Sequence, residues 1–306
     1  MMITRQAVSV LFIILAAAIL SVSCNNSPKG YTIQDTPQSG TIHISVDESF
    51  KPVISQEILV FESTYPKTHI IAEYKSEADC FKDMEKDSTR LIIVARGLTH
   101  EEGKYYKSKL SFTPKWDALA YDAVDVIVNA GAKDSVFTLK KLKDLLNGTD
   151  TTKDVAVDGK NATSTVRYLV DSFLNGKQFG ANVKAATGSK AVVDYVSRNL
   201  NAVGFVGSSW VGNEQDPEQK EYLDKIIMGI VECKSRSGFF ARPSQATIAQ
   251  GQYPLVRPLY YILKENTVAL GSAFTTFMGL ERGQLIFRRS YLVPAKMDFN
   301  MRSGGL

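Results

Sequence analysis

The chain has 306 residues, 44% of them hydrophobic and 22% charged, with a formal net charge of +4. That positive charge is thin and spread along the sequence, with no dense Lys/Arg stripe and no aromatic-glycine motif, which excludes nucleic acid as the expected partner. Three cysteines in a chain of this length exclude a disulfide framework as the source of the fold.

At the N-terminus one early arginine, Arg5, precedes an uncharged apolar run from Ala7 to Leu20 that stops at small residues before Cys24. The run is short for a membrane span and has the layout of a secretory signal. It ends directly on a cysteine, and the polar residues Asn25, Asn26, Ser27, Pro28 and Lys29 follow, so Cys24 reads as a lipid-modified N-terminus that anchors the protein without spanning the membrane. Ser21 stands where bacterial lipoprotein signals usually carry leucine, which leaves ordinary cleavage or an uncleaved anchor as alternatives; in each case the folded part is exported. With residues 1–24 as signal, about 280 residues remain, the first of them, 25–39, a flexible tether. That suits two α/β lobes better than one core.

Short β-rich runs then alternate with helical patterns, the rhythm of sheets that are mainly parallel and flanked by helices. TIHISV (41–46) leads into Asp47, Glu48, Ser49 and Phe50, and then into a helix near 51–64 that admits Pro52 in its first turn. Amides and Ser49 at this junction face the C-terminal end of the strand, where open α/β sheets put ligands. Asp47 and Glu48 repel a fully ionised anion but can accept the proton of a monoprotonated one; alternatively, both only complement the helix dipole and face water. HIIAEY (69–74) and a helix from about 77 to 87, capped by Ser76, come next. RLIIVA (90–95) ends at Arg96-Gly97, before Thr99 and a helix carrying Glu101 and Glu102. Arg96 is placed to reach into the same crevice, and its planar fork donates two parallel hydrogen bonds to a tetrahedral oxyanion.

A second series follows: WDALAYDAVDVIVN (116–129), LKKLKDLLNG (139–148) and VAVD (155–158), then VDGKNATSTVRYLV (157–170). In the last stretch Val166, Leu169, Val170 and Phe173 fall at helical spacing, so a helix begins near Thr163 with Asn161 or Thr163 as its cap. The unpaired amides of that start, with the hydroxyls of Thr163, Ser164 and Thr165, suit a phosphate-sized anion. Arg167, one turn on, leans back toward the same point. Ordinary capping plus an Arg167–Asp171 surface pair is the alternative. NVKAAT (182–187), KAVVDYVSRN (190–199) and AVGFVG (202–207) complete this unit, and GNEQDPEQKE (212–221) interrupts it. IIMGIVEC (226–233) and YPLVRPLYYILK (253–264) then take the chain back to the first lobe, the latter an extended run whose prolines a central strand holds with difficulty. A C-terminal helix is expected over Phe274–Leu280 and Gln284–Phe287. The predicted layout is thus a first lobe from 40–117, a second from 118–225, and a return to the first over 226–306.

Enzyme signatures are thin. His43, His69 and His100 are the three histidines, and there is no H-E-x-x-H, no G-x-S-x-G, no Walker-type loop and no Cys/His metal spacing. No catalytic residue, cofactor or metal is expected. Cys80 and Cys233 are far apart in sequence, and a bridge between them stays open.

Several of these stretches resemble one family, the phosphate-binding subunits of phosphate ABC transporters, PstS-like periplasmic binding proteins with the type II two-lobe fold. SVDESFKPVI resembles the family's first anion loop, IIVARGLTHEE the strand that ends beside the ligand, and DGKNATST the Ser-Gly-Thr helix start; SRNLNAVGFVG and YPLVRPLYYILK resemble two structural segments. The resemblance spans roughly residues 40 to 290. It implies that Ser49 and Phe50, Ser76, Arg96, and Asn161, Ala162 and Thr163 stand at ligand positions. Val157 lies where many members keep an arginine, a charge that Arg167 is expected to supply, and Ala162 replaces glycine. Arg96 takes a position that is Asp in some members, which moves the accepting of the ligand's proton to Asp47 or Glu48, or removes it. The family's function implied here is the binding of inorganic phosphate, or of another oxyanion such as sulfate or molybdate or an organic phosphate, between two lobes, and its delivery to an ABC permease. An exported hydrolase is the competing class.

Overall fold

The computed structural model describes residues 35–159 and 163–297; Cys24 and the expected signal lie outside the described residues, as do Asn161 and Ala162. In chain order the elements are β1 (Ser39–Asp47), α1 (Lys51–Thr64), β2 (Lys67–Lys75), α2 (Glu77–Met84), β3 (Thr89–Val94), α3 (His100–Leu110), β4 (Lys115–Asn129), β5 (Val136–Phe137), α4 (Leu139–Asn147) and β6 (Asp154–Val157). Then come α5 (Ser164–Arg167), which runs on into a π-helical stretch (Tyr168–Phe173), β7 (Val183–Ala185), α6 (Ser189–Arg198), β8 (Ala202–Gly207), α7 (Pro217–Leu223), β9 (Ile226–Met228), β10 (Ile230–Glu232), β11 (Phe240–Ala241), α8 (Gln245–Ala249), β12 (Val256–Leu263), α9 (Leu270–Gly279), α10 (Glu281–Arg289) and β13 (Val293–Pro294).

One sheet path, β2-β1-β3-β12-β4-β8-β6-β7, runs through both lobes. The outer pairs β1/β2, β1/β3, β6/β7 and β6/β8 are parallel, while the central strands β12 and β4 are antiparallel to their neighbours. β4 belongs to both lobes: Lys115–Ala123 pairs with β12, and Val124–Val128 pairs with β8.

Strand alternation builds a core on each face of each lobe. Leu91 and Ile93 of β3 join Ile42, Ile44 and Val46 of β1 beneath α1 and α9, while Ile92 and Val94 face Cys80, Met84 and Tyr106 on the other side. In the second lobe Val155, Val203 and Phe205 pack with Leu142, Leu145 and Leu146 of α4, and Ala156, Ala202 and Val206 pack with Val192, Val193 and Val196 of α6. Fully buried strand faces explain why these runs read as continuous apolar stretches.

Three expectations are corrected. β12 is a central strand, between β3 and β4, despite its proline. Pro258 is tolerated because β3 pairs only from Tyr260 onward, so at Pro258 the ladder has a partner on the β4 side alone. The return to the first lobe comes later than residue 226: β9 pairs with the second-lobe end of β4, and Tyr253 and Leu255 still pack in the second core. The C-terminal helix is two helices, α9 and α10. Gly283 sits so close to the first that an added Cβ would stand 2.5 Å from the Met278 Cα. Cys80 and Cys233 are both free and buried.

Phe274 shows what the first core is worth. Its ring meets that of Phe61 at 5.2 Å, edge to face, and Phe274→Ala is expected to cost about 3–5 kcal/mol in urea unfolding. Glu57, in α1, is buried with neither carboxyl oxygen partnered, and burial pushes its carboxyl up to about 10. The fold therefore keeps a proton that the unfolded chain releases above the ordinary value of 4.5, so this side chain costs progressively more stability as pH rises from 4.5 toward 10. Glu57→Gln should gain on the wild type across that window. A stability gap that does not widen between about pH 5 and about pH 9 would contradict the burial of a neutral carboxyl.

Candidate functional site

β1 ends at Asp47 and the chain turns through a 3-10 segment, Glu48–Phe50, into α1. One Asp47 oxygen accepts from the Ser49 amide at 2.9 Å, and the other reaches across to the Ser164 amide, 3.2 Å away at the start of α5. Thr163 caps that helix by accepting from the Val166 amide. Asp158, just past β6, gathers three hydroxyls: Thr163 at 2.7 Å, Thr165 at 2.8 Å and Ser49 at 3.2 Å. The Ser49 hydroxyl lies 3.4 Å from that of Ser164 and 3.3 Å from that of Thr165. Hydroxyls from both lobes thus converge on one buried point.

Arg257, from β12, completes the cluster. Its Nη1 donates to the hydroxyls of Ser164 at 2.8 Å and Thr165 at 3.0 Å, while Nε and Nη2 grip Asp122 of β4 at 3.1 and 3.0 Å. The Phe50 ring lies against the guanidinium, 4.8 Å from centroid to Cζ. Arg257 is only 1% exposed and Asp47, Ser49, Asp122, Ser164 and Thr165 are fully buried. A buried arginine in this setting must be paired, and Asp122 is its anchor. Burial pushes the Asp122 carboxyl up to about 6, while the Arg257 guanidinium it pairs with pulls it down. Asp47 is pushed further, to about 7, by burial first and by Glu77, with Arg257 pulling it down. It exchanges its proton near neutrality, the condition for accepting a hydrogen bond from a ligand or giving one.

The remaining residues expected at the site are placed as follows. Glu48 reaches Ser189 at the start of α6, accepting from its amide and hydroxyl. Ser76 caps α2, accepting from the Asp79 amide and donating to the Asp79 carboxylate. Arg96 turns back on its own loop, where it grips Glu102 at 2.8 and 2.9 Å and stacks on Phe81 at 3.7 Å; it does not join the cluster. Thr99 and Glu102 form the capping box of α3, and that geometry draws Arg96 away. Arg167 bonds neither Asp171 nor the helix start: it pairs with buried Glu77 and donates to the Ala95 carbonyl, linking the second lobe to the first. The three histidines are exposed, on β1, β2 and the start of α3, and no serine of the cluster has a histidine partner among the described residues.

Arg257, Asp122 and Asp158 were not singled out from the sequence. A signal was present: a charge inside an otherwise apolar strand run must find an opposite charge. YPLVRPLYY carries one such arginine and WDALAYDAVDVIVN carries acids, but nothing local says that they face each other. What the cluster offers chemically is hydroxyl, amide and guanidinium donors around one point, with carboxylates that fix them in place. No group of three or more metal-ligating side chains occurs among the described residues.

Comparison with known proteins identifies the family. The model of the PBP superfamily domain matches residues 32–281. The phosphate-binding protein PstS of Pseudomonas aeruginosa is 23% identical over 264 residues, covering 78% of this chain and 78% of that protein. A structure from Clostridium perfringens, described as a phosphate ABC transporter substrate-binding protein with bound phosphate, superposes with a TM-score of 0.69 at 20% identity, covering 84% of this chain and all of that one. An ABC-type phosphate transport receptor from Vibrio cholerae gives a TM-score of 0.60 at 17% identity, over 83% of this chain and 100% of its own. At such identities the structural likeness establishes the α/β two-lobe fold, and the family match covers most of the chain: it belongs to the PBP superfamily of binding proteins.

Proposed function

We propose that this chain binds inorganic phosphate between its two lobes and hands it to an ABC permease, as an exported protein held to the membrane by a lipid on Cys24. The observation that carries the reading is the meeting of Ser49, Ser164, Thr165 and Arg257 at one buried point, donors from both lobes gathered around a single guanidinium. A tetrahedral oxyanion accepts several hydrogen bonds at once, and donors held out of water bind it more strongly than solvated ones. The relatives that bear the name phosphate-binding protein support the choice of ligand. The described residues include no helix long and apolar enough to cross a membrane, which fits an anchor confined to the N-terminus.

In this reading Arg257 supplies the charge that Arg96 and Arg167 were expected to bring, because both of those are committed to glutamates. Asp122 and Asp158 hold the guanidinium and the hydroxyls in position, so little ordering remains to be done on binding. Asp47 faces the ligand's protonated oxygen. Sulfate has no proton to give and is repelled by the ionised form of Asp47, whereas monoprotonated phosphate can donate to it. The proposal keeps Asn161 and Ala162 as ligand positions, and Ser76 and Arg96 stand outside it. Closure of the lobes around phosphate makes the loaded form recognisable to the permease.

Calorimetric titration of the full chain with phosphate and then sulfate tests the reading directly; heat from neither would overturn it. Arg257→Lys keeps a charge for Asp122 but loses the fork, and phosphate affinity should fall about 10–100-fold, against less than about threefold for Arg96→Ala. Equal losses would move the site back to Arg96. Asp47→Asn removes the proton acceptor and should narrow the preference for phosphate over sulfate by about tenfold or more. An unchanged preference would take Asp47 out of ligand selection.

A further inference from the structure

Asp47, Glu48 and Ser49 follow one another at the end of β1, in the first lobe, and each holds a different segment start of the second. Asp47 accepts from the Ser164 amide at 3.2 Å. The Ser49 carbonyl accepts from the Ser209 hydroxyl at 2.9 Å, in the 3-10 turn that follows β8. Glu48 takes the Ser189 amide on both its oxygens at 3.2 Å and the Ser189 hydroxyl at 2.9 Å.

The Glu48 contact is the most distinctive, because α6 has no cap of its own. Its N-cap position is Gly188, which has no side chain to offer and holds a φ of +125°. Glu48, 141 residues away from Ser189 in sequence, does the capping instead. A Cβ added at Gly188 would stand 3.1 Å from a Glu48 carboxylate oxygen, so the glycine also leaves room for it. A carboxylate on a helix start gains from the helix dipole as well as from the hydrogen bonds. These bonds cross the cleft through protein atoms alone.

We infer that Glu48, flanked by Asp47 and Ser49, is a latch that stabilises the closed arrangement of the two lobes independently of ligand, so that admitting a ligand requires breaking the Glu48–Ser189 bonds. The inference deepens the proposed phosphate reading in that it concerns entry to the same cleft, but it rests on the interlobe bonds and stands whichever ligand enters. A ligand's net affinity then reflects the fraction of molecules whose cleft is open to it, and weakening the latch speeds association.

The test is a distance distribution between spin labels on the full chain, carried by Leu59→Cys on α1 and Leu200→Cys beyond α6, positions 61% and 66% exposed. The buried native thiols Cys80 and Cys233 are expected to stay unlabelled, and Cys24→Ser removes the third native thiol. In phosphate-free buffer the labelled protein should show a mainly short-distance population. Glu48→Ala, which removes all the bonds to Ser189, should raise the open-to-closed ratio about tenfold or more, and Ser189→Ala, which removes one, should raise it less. Stopped-flow association of phosphate should accelerate in the same order. Identical distributions in wild type and Glu48→Ala, or a wild type already at the long distance, would overturn the latch. Thermal unfolding of each variant is followed alongside; if Glu48→Ala fails to fold, the comparison with Ser189→Ala decides alone. Because the distances are measured without phosphate, absence of phosphate binding in calorimetry would remove the ligand assignment and leave this result untouched.

Discussion

A guanidinium buried where two strands cross between lobes constrains everything around it. Arg257 is 1% exposed, and an unpaired charge at that depth would cost several kcal/mol. Asp122 answers it from β4, and the Ser164 and Thr165 hydroxyls occupy the donor that Asp122 leaves over. Since Arg257 and Asp122 face each other in register on neighbouring strands, the pair also ties the two crossing strands together at the cleft. The start of α5 is thereby fixed relative to β4 and β12, and the end of β1 is brought to it through Ser49 and Asp47.

Carboxylates outnumber cations at this junction. Asp47, Asp122 and Asp158 surround a single arginine inside the cluster, and Arg167 beside it is spent on Glu77. In the proposed reading an anion is admitted to such a place because the acids are engaged elsewhere. Asp122 is neutralised by Arg257, Asp158 is wrapped in three hydroxyls, and Asp47 lies near its midpoint at neutral pH, pushed up by burial. The same feature gives a route to selectivity, because a protonated oxyanion can satisfy Asp47 and a fully ionised one cannot. It also gives the lobes their own adhesion, since acids of one lobe cap helix starts of the other.

Much of this was legible in the residues. The period of the apolar runs announced strands and helices nearly in place. Thr99 marked the start of a helix that forms there, with Glu102 closing its capping box, and the hydroxyl-rich start at Thr163 announced a helix whose amides and side chains would be used. The proline rule failed at β12 because it assumes two partners along a whole central strand, whereas β3 stops short of Pro258. The arginines were harder. Arg96 and Arg167 sit beside the right loops in sequence, but a long side chain goes to whichever carboxylate packing brings within reach, and Glu102 and Glu77 are nearer than the cleft. Arg257 lies about 90 residues beyond the loop it serves, in a stretch whose proline and tyrosine pattern reads as structural.

Sequence by itself determined the local facts: which runs are strands, where helices begin, and which starts carry hydroxyls. These follow from periodicity and capping chemistry, both of which act over a few residues. Tertiary structure alone decided which acid meets which base across the cleft, and so which arginine lies in the buried cluster and which glutamate caps a glycine-headed helix in the other lobe. The reason is that ion pairs and trans caps depend on positions set by sheet register and lobe packing, and those join residues separated by a hundred positions or more.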